Sequence, residues 1–246
     1  MKIYTTLPQD DLKKVPAAAI AAEDAGFDGL MGMENRHDPF LPLGVAATAT
    51  RRIALLTGLA IAFPRSPMVM ANLGWDLQSA SEGRFVLGLG TQVRGHNERR
   101  FSVPWSAPGP RMREYIAALH AIWRCWKTGE KLQFEGRHYN FSLMTPAFVP
   151  EEMNAPPPAI TVGAVGLSML RVAAEMCDGV RLHPFCTRRY QENVVLPLMS
   201  AGLEKAGRTR DGFEITGGGF IATGADQAAV EERLTWVRQR VAFYGS

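Results

Sequence analysis

Histidine beside aspartate can move a proton near neutral pH. This chain carries that pair in Glu34-Asn35-Arg36-His37-Asp38-Pro39-Phe40, a polar loop that follows a short apolar segment. A second polar cluster follows Phe85-Val86-Leu87-Gly88-Leu89-Gly90 and holds Thr91, Gln92, Arg94, His96, Asn97 and Glu98. A strand apolar on both faces belongs in a parallel sheet covered on both sides. In such folds ligands meet the carboxyl ends of the strands, so both clusters are candidate sites of chemistry. A third stretch, Thr57-Gly58-Leu59-Ala60-Ile61-Ala62-Phe63, sets small residues inside a buried strand. That suits a bulge, the close approach of a flat ligand, or packing against a large neighbour. A fourth, Val162-Gly163-Ala164-Val165-Gly166, leads into a helix at Leu167, where free backbone N–H groups can bind phosphate. Arg181 and His183 form a basic pair at another strand end, suited to substrate or phosphate contact.

Other chemistries fit poorly. The histidines at 37, 96, 120, 138 and 183 show neither i, i+4 pairing nor H-x-H, so no metal is expected. The G-x-S-x-G elbow of hydrolases is absent. Gly88-x-Gly90 fails as a dinucleotide fingerprint, because the next glycine is Gly95 and no helix is predicted directly after it. Glu34 and Glu98 on separate loops leave a glycosidase pair as a minor alternative. A net charge of +3 is too small to argue for nucleic acid. Locally, Arg94, Arg99, Arg100, Arg111 and Arg113 make either a solvated face or a landing surface for an anionic ligand. No apolar run approaches the roughly 18–20 residues of a membrane span. The three scattered cysteines, Cys125, Cys177 and Cys186, read as reduced thiols, which points to the cytoplasm.

The elements that must position these residues alternate. Strands are predicted at 1–6, 27–33, 52–63, 85–89, 159–163, 178–183 and 214–223. Helices are predicted at 11–25, 42–50, 67–81, 110–128, 167–176, 187–206 (kinked at Pro197) and 225–243. Tyr115, Leu119, Ile122, Trp123 and Trp126 fall at helical spacing and read as core. Residues 131–141 read as a hairpin insertion, and the proline-rich 142–158 as a lid or linker. The pattern thus gives one domain over 1–246, with its insertion at about 129–158. Repeated βα units form an open doubly wound sheet or a closed barrel. An eight-unit barrel typically takes about 250 residues. The seven units here fit a (β/α)8 barrel with its last βα unit missing from the pattern.

Taken together, four stretches resemble the bacterial luciferase-like monooxygenase superfamily, in particular its branch of coenzyme F420-dependent oxidoreductases. They are 34–40; Ser66-Pro67-Met68-Val69-Met70-Ala71; Gly83-Arg84-Phe85-Val86-Leu87-Gly88-Leu89-Gly90-Thr91; and Ala174-Glu175-Met176-Cys177-Asp178-Gly179-Val180. The hairpin from Phe134 to Tyr139 belongs to the same pattern, and the resemblance spans nearly the whole chain. It implies a TIM-like barrel with a deazaflavin or flavin at its carboxyl mouth. It also implies a non-prolyl cis peptide near Gly58, Ala60 and Ile61 backing the ring. By position, His37 and Asp38 would lie near that ring. Thr91, Gln92, His96, Asn97 and Glu98 would contact the ring or its ribityl chain. Gly163, Ala164, Val165 and Gly166 would receive the phosphate, and His183 would line the substrate side. The implied reaction is hydride transfer between coenzyme F420 and a small organic substrate, with His37 as acid/base and His96 or Glu98 next in order. The alternatives are an FMN-dependent monooxygenase served by a flavin reductase, and a non-catalytic flavin-binding relative. A homodimer is the assembly the resemblance implies.

Overall fold

Strand order decides between the two architectures. The computed structural model describes residues 1–245. It begins with β1 (Tyr4–Thr6), α1 (Val15–Asp24), β2 (Gly29–Gly32), α2 (Phe40–Ala49), β3 (Ala54–Thr57), β4 (Ala60–Ile61), α3 (Pro67–Ala80) and β5 (Phe85–Gly90). Next come α4 (Arg94–Arg99), α5 (Pro108–Thr128), the hairpin β6 (Phe134–Glu135) and β7 (Asn140–Phe141), β8 (Ala159–Ala164) and α6 (Leu167–Met176). The chain continues through β9 (Gly179–Leu182), α7 (Arg188–Tyr190), α8 (Leu196–Lys205), β10 (Glu214–Thr216) and α9 (Gln227–Gly245). The main sheet runs β1-β2-β3-β5-β8-β9-β10, every pair parallel, with β4 also on β5. A doubly wound sheet reverses its order part-way. This one never does, so it curls in one direction as a TIM-like barrel does.

Alternation along the strands sorts their side chains into two faces. Leu30, Leu55, Leu87, Val162 and Val180 lie fully buried beneath the helices. The predicted stripe on α5 joins that core, with Tyr115, Leu119 and Ile122 at 0% exposure and Trp123 at 1%. Trp123 donates its indole N–H to the Ala71 carbonyl on α3 (3.2 Å), which seats the ring without leaving an orphan donor. The other face is the concave interior. Tyr4 of β1 reaches across it to Glu214 of β10, donating its hydroxyl at 2.6 Å, and Lys2 pairs with the same carboxylate at 2.8 Å. Among the described residues no backbone pairing joins β1 to β10, so these side chains bridge the ends of the curl.

Burial alone would raise the Glu214 carboxyl, but the Lys2 ammonium and the Tyr4 hydroxyl outweigh it and hold it below the ordinary range. A carboxylate so depressed stabilises the fold above its unfolded pKa of about 4.3. That contribution fades as pH falls through the lower folded value. Glu214→Gln is therefore expected to lower Tm at pH 7 and to flatten the loss of Tm between about pH 5 and pH 3. Thermal melts across that range check it; parallel curves for the two proteins would contradict it.

Several boundaries differ from the sequence reading. The long third strand breaks at 58–59 into β3 and β4. The seventh strand ends at Thr216, where Gly217-Gly218-Gly219 offers no side chains to pack. The Pro197 kink takes the form of a five-residue π turn, Gln191–Val195, ahead of α8. A proline lacks the N–H for the regular ladder, and a wider turn accommodates it. The segment read as a lid or linker joins the hairpin to β8 and is fastened near the amino end of β8. Trp75 and Gln78 of α3 donate to the carbonyls of Glu151 (3.2 Å) and Pro156 (2.9 Å), next to where β8 begins. The hairpin is tied down as well: the Glu114 carboxylate on α5 accepts the N–H groups of Arg137, His138 and Tyr139. No helix among the described residues is long and apolar enough to cross a membrane.

Candidate functional site

The rim after β2 is built by one ion network. Glu34 is 6% exposed and accepts the Ile61 N–H at 2.6 Å and both contacts of Arg65 Nη1 at 2.9 and 3.0 Å. Arg65 Nη2 donates to Asp38 at 3.0 Å, and its Nη1 also reaches the Ile61 carbonyl. Burial pulls the Arg65 guanidinium down, but the two carboxylates more than restore it and leave it raised. The other Asp38 oxygen accepts the N–H groups of Phe40 and Leu41, at 2.8 and 3.3 Å, and so caps α2. Asp38 is thereby fully engaged in holding the loop. His37 is exposed on that loop and lines a cleft of about 240 Å³ with Gln9, Asp10 and Leu41. Arg100 donates to the Asn35 carbonyl at 2.7 Å and joins this loop to the one after β5.

At the break in the third strand the Gly58–Leu59 peptide is cis, within the span where the resemblance placed it. Ala60 and Ile61 follow it, buried, and pair with Leu89 and Gly90 of β5. Leu59 turns into the concave interior. A Cβ on Gly88 would come within 3.1 Å of the Leu59 side chain, and one on Gly163 would collide with it. The missing side chain at Gly163 is therefore room for Leu59 within a strand, not a phosphate loop.

The loop after β5 carries a helix that the sequence reading missed. Its six residues have no apolar stripe to betray them, yet Arg94–Arg99 close into α4. Residues two apart on a helix do not face each other, so His96 and Glu98 part company. Both are exposed, and Glu98 pairs with Arg94 at 3.1 Å. Asn97 is fully buried and donates to the carbonyls of Thr91 (3.0 Å) and Val93 (3.1 Å), while its Oδ1 has no partner. Gln92 sits at φ 53° and accepts the N–H of Val93. The arginines read as a solvated face or a landing surface mostly stay exposed or half-buried and are engaged by other groups of the chain. Besides Arg94 and Arg100, Arg111 bonds Tyr139 and lies over the Phe63 ring at 4.4 Å, and Arg113 pairs with Glu175 at 2.6 Å.

After β8, Ala164 is buried, Val165 and Gly166 are exposed, and Gly166 opens α6 without a side-chain cap. An uncapped N-terminus leaves first-turn amides in want of an acceptor, with the positive end of the helix dipole behind them. Tyr190 donates to the Val165 carbonyl at 2.7 Å and fixes the loop. His183, after β9, is half-buried and pulled below its ordinary pKa by that burial. Its Nδ1 accepts the Phe185 N–H, and its ring meets Tyr244 at 4.3 Å. His37, Leu59, Thr91, Gly166 and His183 thus follow the carboxyl ends of β2, β3, β5, β8 and β9, all at one end of the barrel. Sequence reasoning overlooked Arg65. Its two carboxylate partners lie 31 and 27 residues away, and no local spacing encodes such a link.

A family model described as luciferase-like monooxygenase matches residues 2–246. The chain belongs to that family. It is accordingly an oxidoreductase, and the luciferase-like barrel explains the monotonic strand order. An uncharacterized protein of Mycobacterium tuberculosis is 47% identical over 246 residues, which is 100% of this chain and 72% of that protein. The F420-dependent glucose-6-phosphate dehydrogenase of Nakamurella multipartita is 32% identical over 207 residues, 78% of this chain and 58% of that one. Among solved structures, the coenzyme F420 dependent tetrahydromethanopterin reductase of Methanopyrus kandleri superposes with a TM-score of 0.77. That match has 20% identity and covers 99% of this chain and 71% of the other.

Proposed function

We propose that this luciferase-like oxidoreductase transfers a hydride between coenzyme F420 and a small organic substrate at the carboxyl mouth of its barrel. The observation that carries the reading is the pairing of an apolar floor inside the mouth with a helix N-terminus. The glycines of β5 and β8 seat the Leu59 side chain in the concave interior, an apolar surface for a flat ring to rest on, while the uncapped start of α6 offers amides to a phosphate. The two features fit a planar cofactor with a phosphate tail. Likeness to F420-dependent relatives favours the deazaflavin over FMN. When bound, a reduced deazaflavin supplies a hydride from its reactive ring carbon.

The chain's own residues have separable parts. Leu167 and Ser168, with Gly166, would hold the phosphate through backbone N–H groups. Leu59, Thr91, Gln92 and Asn97 would line the ring, and Asn97 Oδ1 is an acceptor without a donor. His37 would give a proton to the substrate oxygen, or take one from it, with His96 and Glu98 as weaker candidates because both face solvent. Asp38 would act on the ring only through the loop it caps. His183 would border the substrate.

FMN remains the second reading, since the family model itself describes monooxygenases. Turnover separates the two. With a panel of small aldehydes, ketones and alcohols, the purified protein is expected to exchange hydride with F420 in the absence of oxygen. Oxygen-dependent consumption of reduced FMN, with no F420 turnover, would move the assignment to a two-component monooxygenase.

A further inference from the structure

Arg181 is a cation inside the barrel with an unused edge. It lies on β9 in register with Gly163 of β8 and Thr216 of β10. A Cβ on Gly58 would come within 3.1 Å of its Nη1, so the guanidinium rests against the backbone at the β3–β4 break. Nη1 also meets the Met31 sulfur at 2.7 Å. Nε and Nη2 are buried and have no hydrogen-bond partner. These two nitrogens form the side of the guanidinium that grips two adjacent acceptors at once. The nearby carboxylate does not serve them: Glu214 is held by Lys2 and Tyr4, and no ion pair joins it to Arg181. One pleat deeper, the Thr161 hydroxyl is buried and likewise without a partner. Interiors of TIM-like barrels are ordinarily filled by branched apolar side chains. An unpaired guanidinium there costs stability unless a ligand supplies the acceptors.

We propose that Arg181 is a positioning residue whose Nε–Nη2 edge receives the carbonyl-and-nitrogen edge of the flat redox ring bound at the mouth. This rests on the reading that the mouth holds a deazaflavin or flavin. The pyrimidinedione end of such a ring presents a ring nitrogen and a carbonyl oxygen side by side, which matches a planar fork. A cation there also stabilises the negative charge that this edge gains on reduction, so Arg181 sets ring orientation and raises the bound ring's midpoint potential. Burial lowers the arginine's pKa, and Tyr4 and Glu214 offset part of that loss.

The test compares the wild-type chain with Arg181→Met and Arg181→Lys. Each is titrated with oxidised F420 and with the ring-bearing 5-deazariboflavin that lacks the phosphate tail, and each apoprotein is melted. Arg181→Met should bind both ligands about 10- to 100-fold more weakly, the range for charge-assisted hydrogen bonds. Its apoprotein should be as stable as wild type or more so. Arg181→Lys should recover little, because an ammonium has no flat edge. Unchanged affinity in Arg181→Met together with a less stable apoprotein would make the residue structural and overturn the proposal. Loss for F420 alone would place the guanidinium at the tail, and would overturn it too. So would unchanged F420 affinity with lost binding of benzoate, a flat carboxylate, which would assign the fork to a substrate. Wild-type failure to bind either ligand would remove the functional reading and this inference with it. Equal binding by wild type and Arg181→Met would remove this inference alone.

Discussion

Arg65→Met is expected to lower the free energy of unfolding by about 3–5 kcal/mol, the usual cost of stranding one partner of a buried ion pair. The stranded group is Glu34, 6% exposed, which would keep only the Ile61 N–H of its present donors. Asp38 adds little to the figure, because at 38% exposure water screens its share. The Tyr115 hydroxyl bonds the backbone carbonyl of residue 65 and survives the change. Urea titration of wild type, Arg65→Met and the double variant Glu34→Gln/Arg65→Met measures this. The double variant should recover part of the loss, since no buried carboxylate is left without its cation. A loss under about 1 kcal/mol in Arg65→Met would mean that the pair is solvated and that the rim is held by other contacts.

His37→Ala should act on rate and not on the fold. The side chain is exposed, so stability is expected to move by no more than about 0.5 kcal/mol. Its backbone is pinned on both sides by the Asp38 cap and by the Arg100 bond to Asn35, so the ring is presented from a fixed loop. Removing a positioned acid/base typically costs about 10²- to 10⁴-fold in rate. Steady-state kcat should fall within that range, while the coenzyme Kd moves less than the rate does. Equal losses in the two quantities, or none in either, would take proton transfer away from His37.

How far the sequence reveals this arrangement depends on the range over which each feature is encoded. Alternation of apolar strands and helices is local, so the repeated βα units and the α5 core stripe are legible, whereas the barrel and the cis peptide near Gly58 follow only from the resemblance and the break of the third strand is not legible. The start of α3 is legible for the same reason, with Ser66 capping the Met68 N–H and Pro67 in the first turn. Features that depend on distant partners are not. Glu34 and Arg65 meet only after the loop that follows β2 and the turn that follows β4 are brought together by the sheet. Gly163 resembles a phosphate loop in one dimension, whereas in three it makes space for Leu59, 104 residues earlier by the numbering of the contact. The proline-rich segment has the composition of a lid or linker, and only the distant donors Trp75 and Gln78 of α3 show where it is fastened. Helix α4 escaped notice because a six-residue polar helix has no hydrophobic period to read.

Whether this mouth holds a deazaflavin is settled most directly by a pair of equilibrium titrations of the purified apoprotein, one with oxidised F420 and one with FMN, followed by fluorescence. The account predicts saturable binding of F420 at a single site, with FMN bound more weakly. Selective binding of FMN would contradict the deazaflavin assignment, and binding of neither would contradict the cofactor site itself.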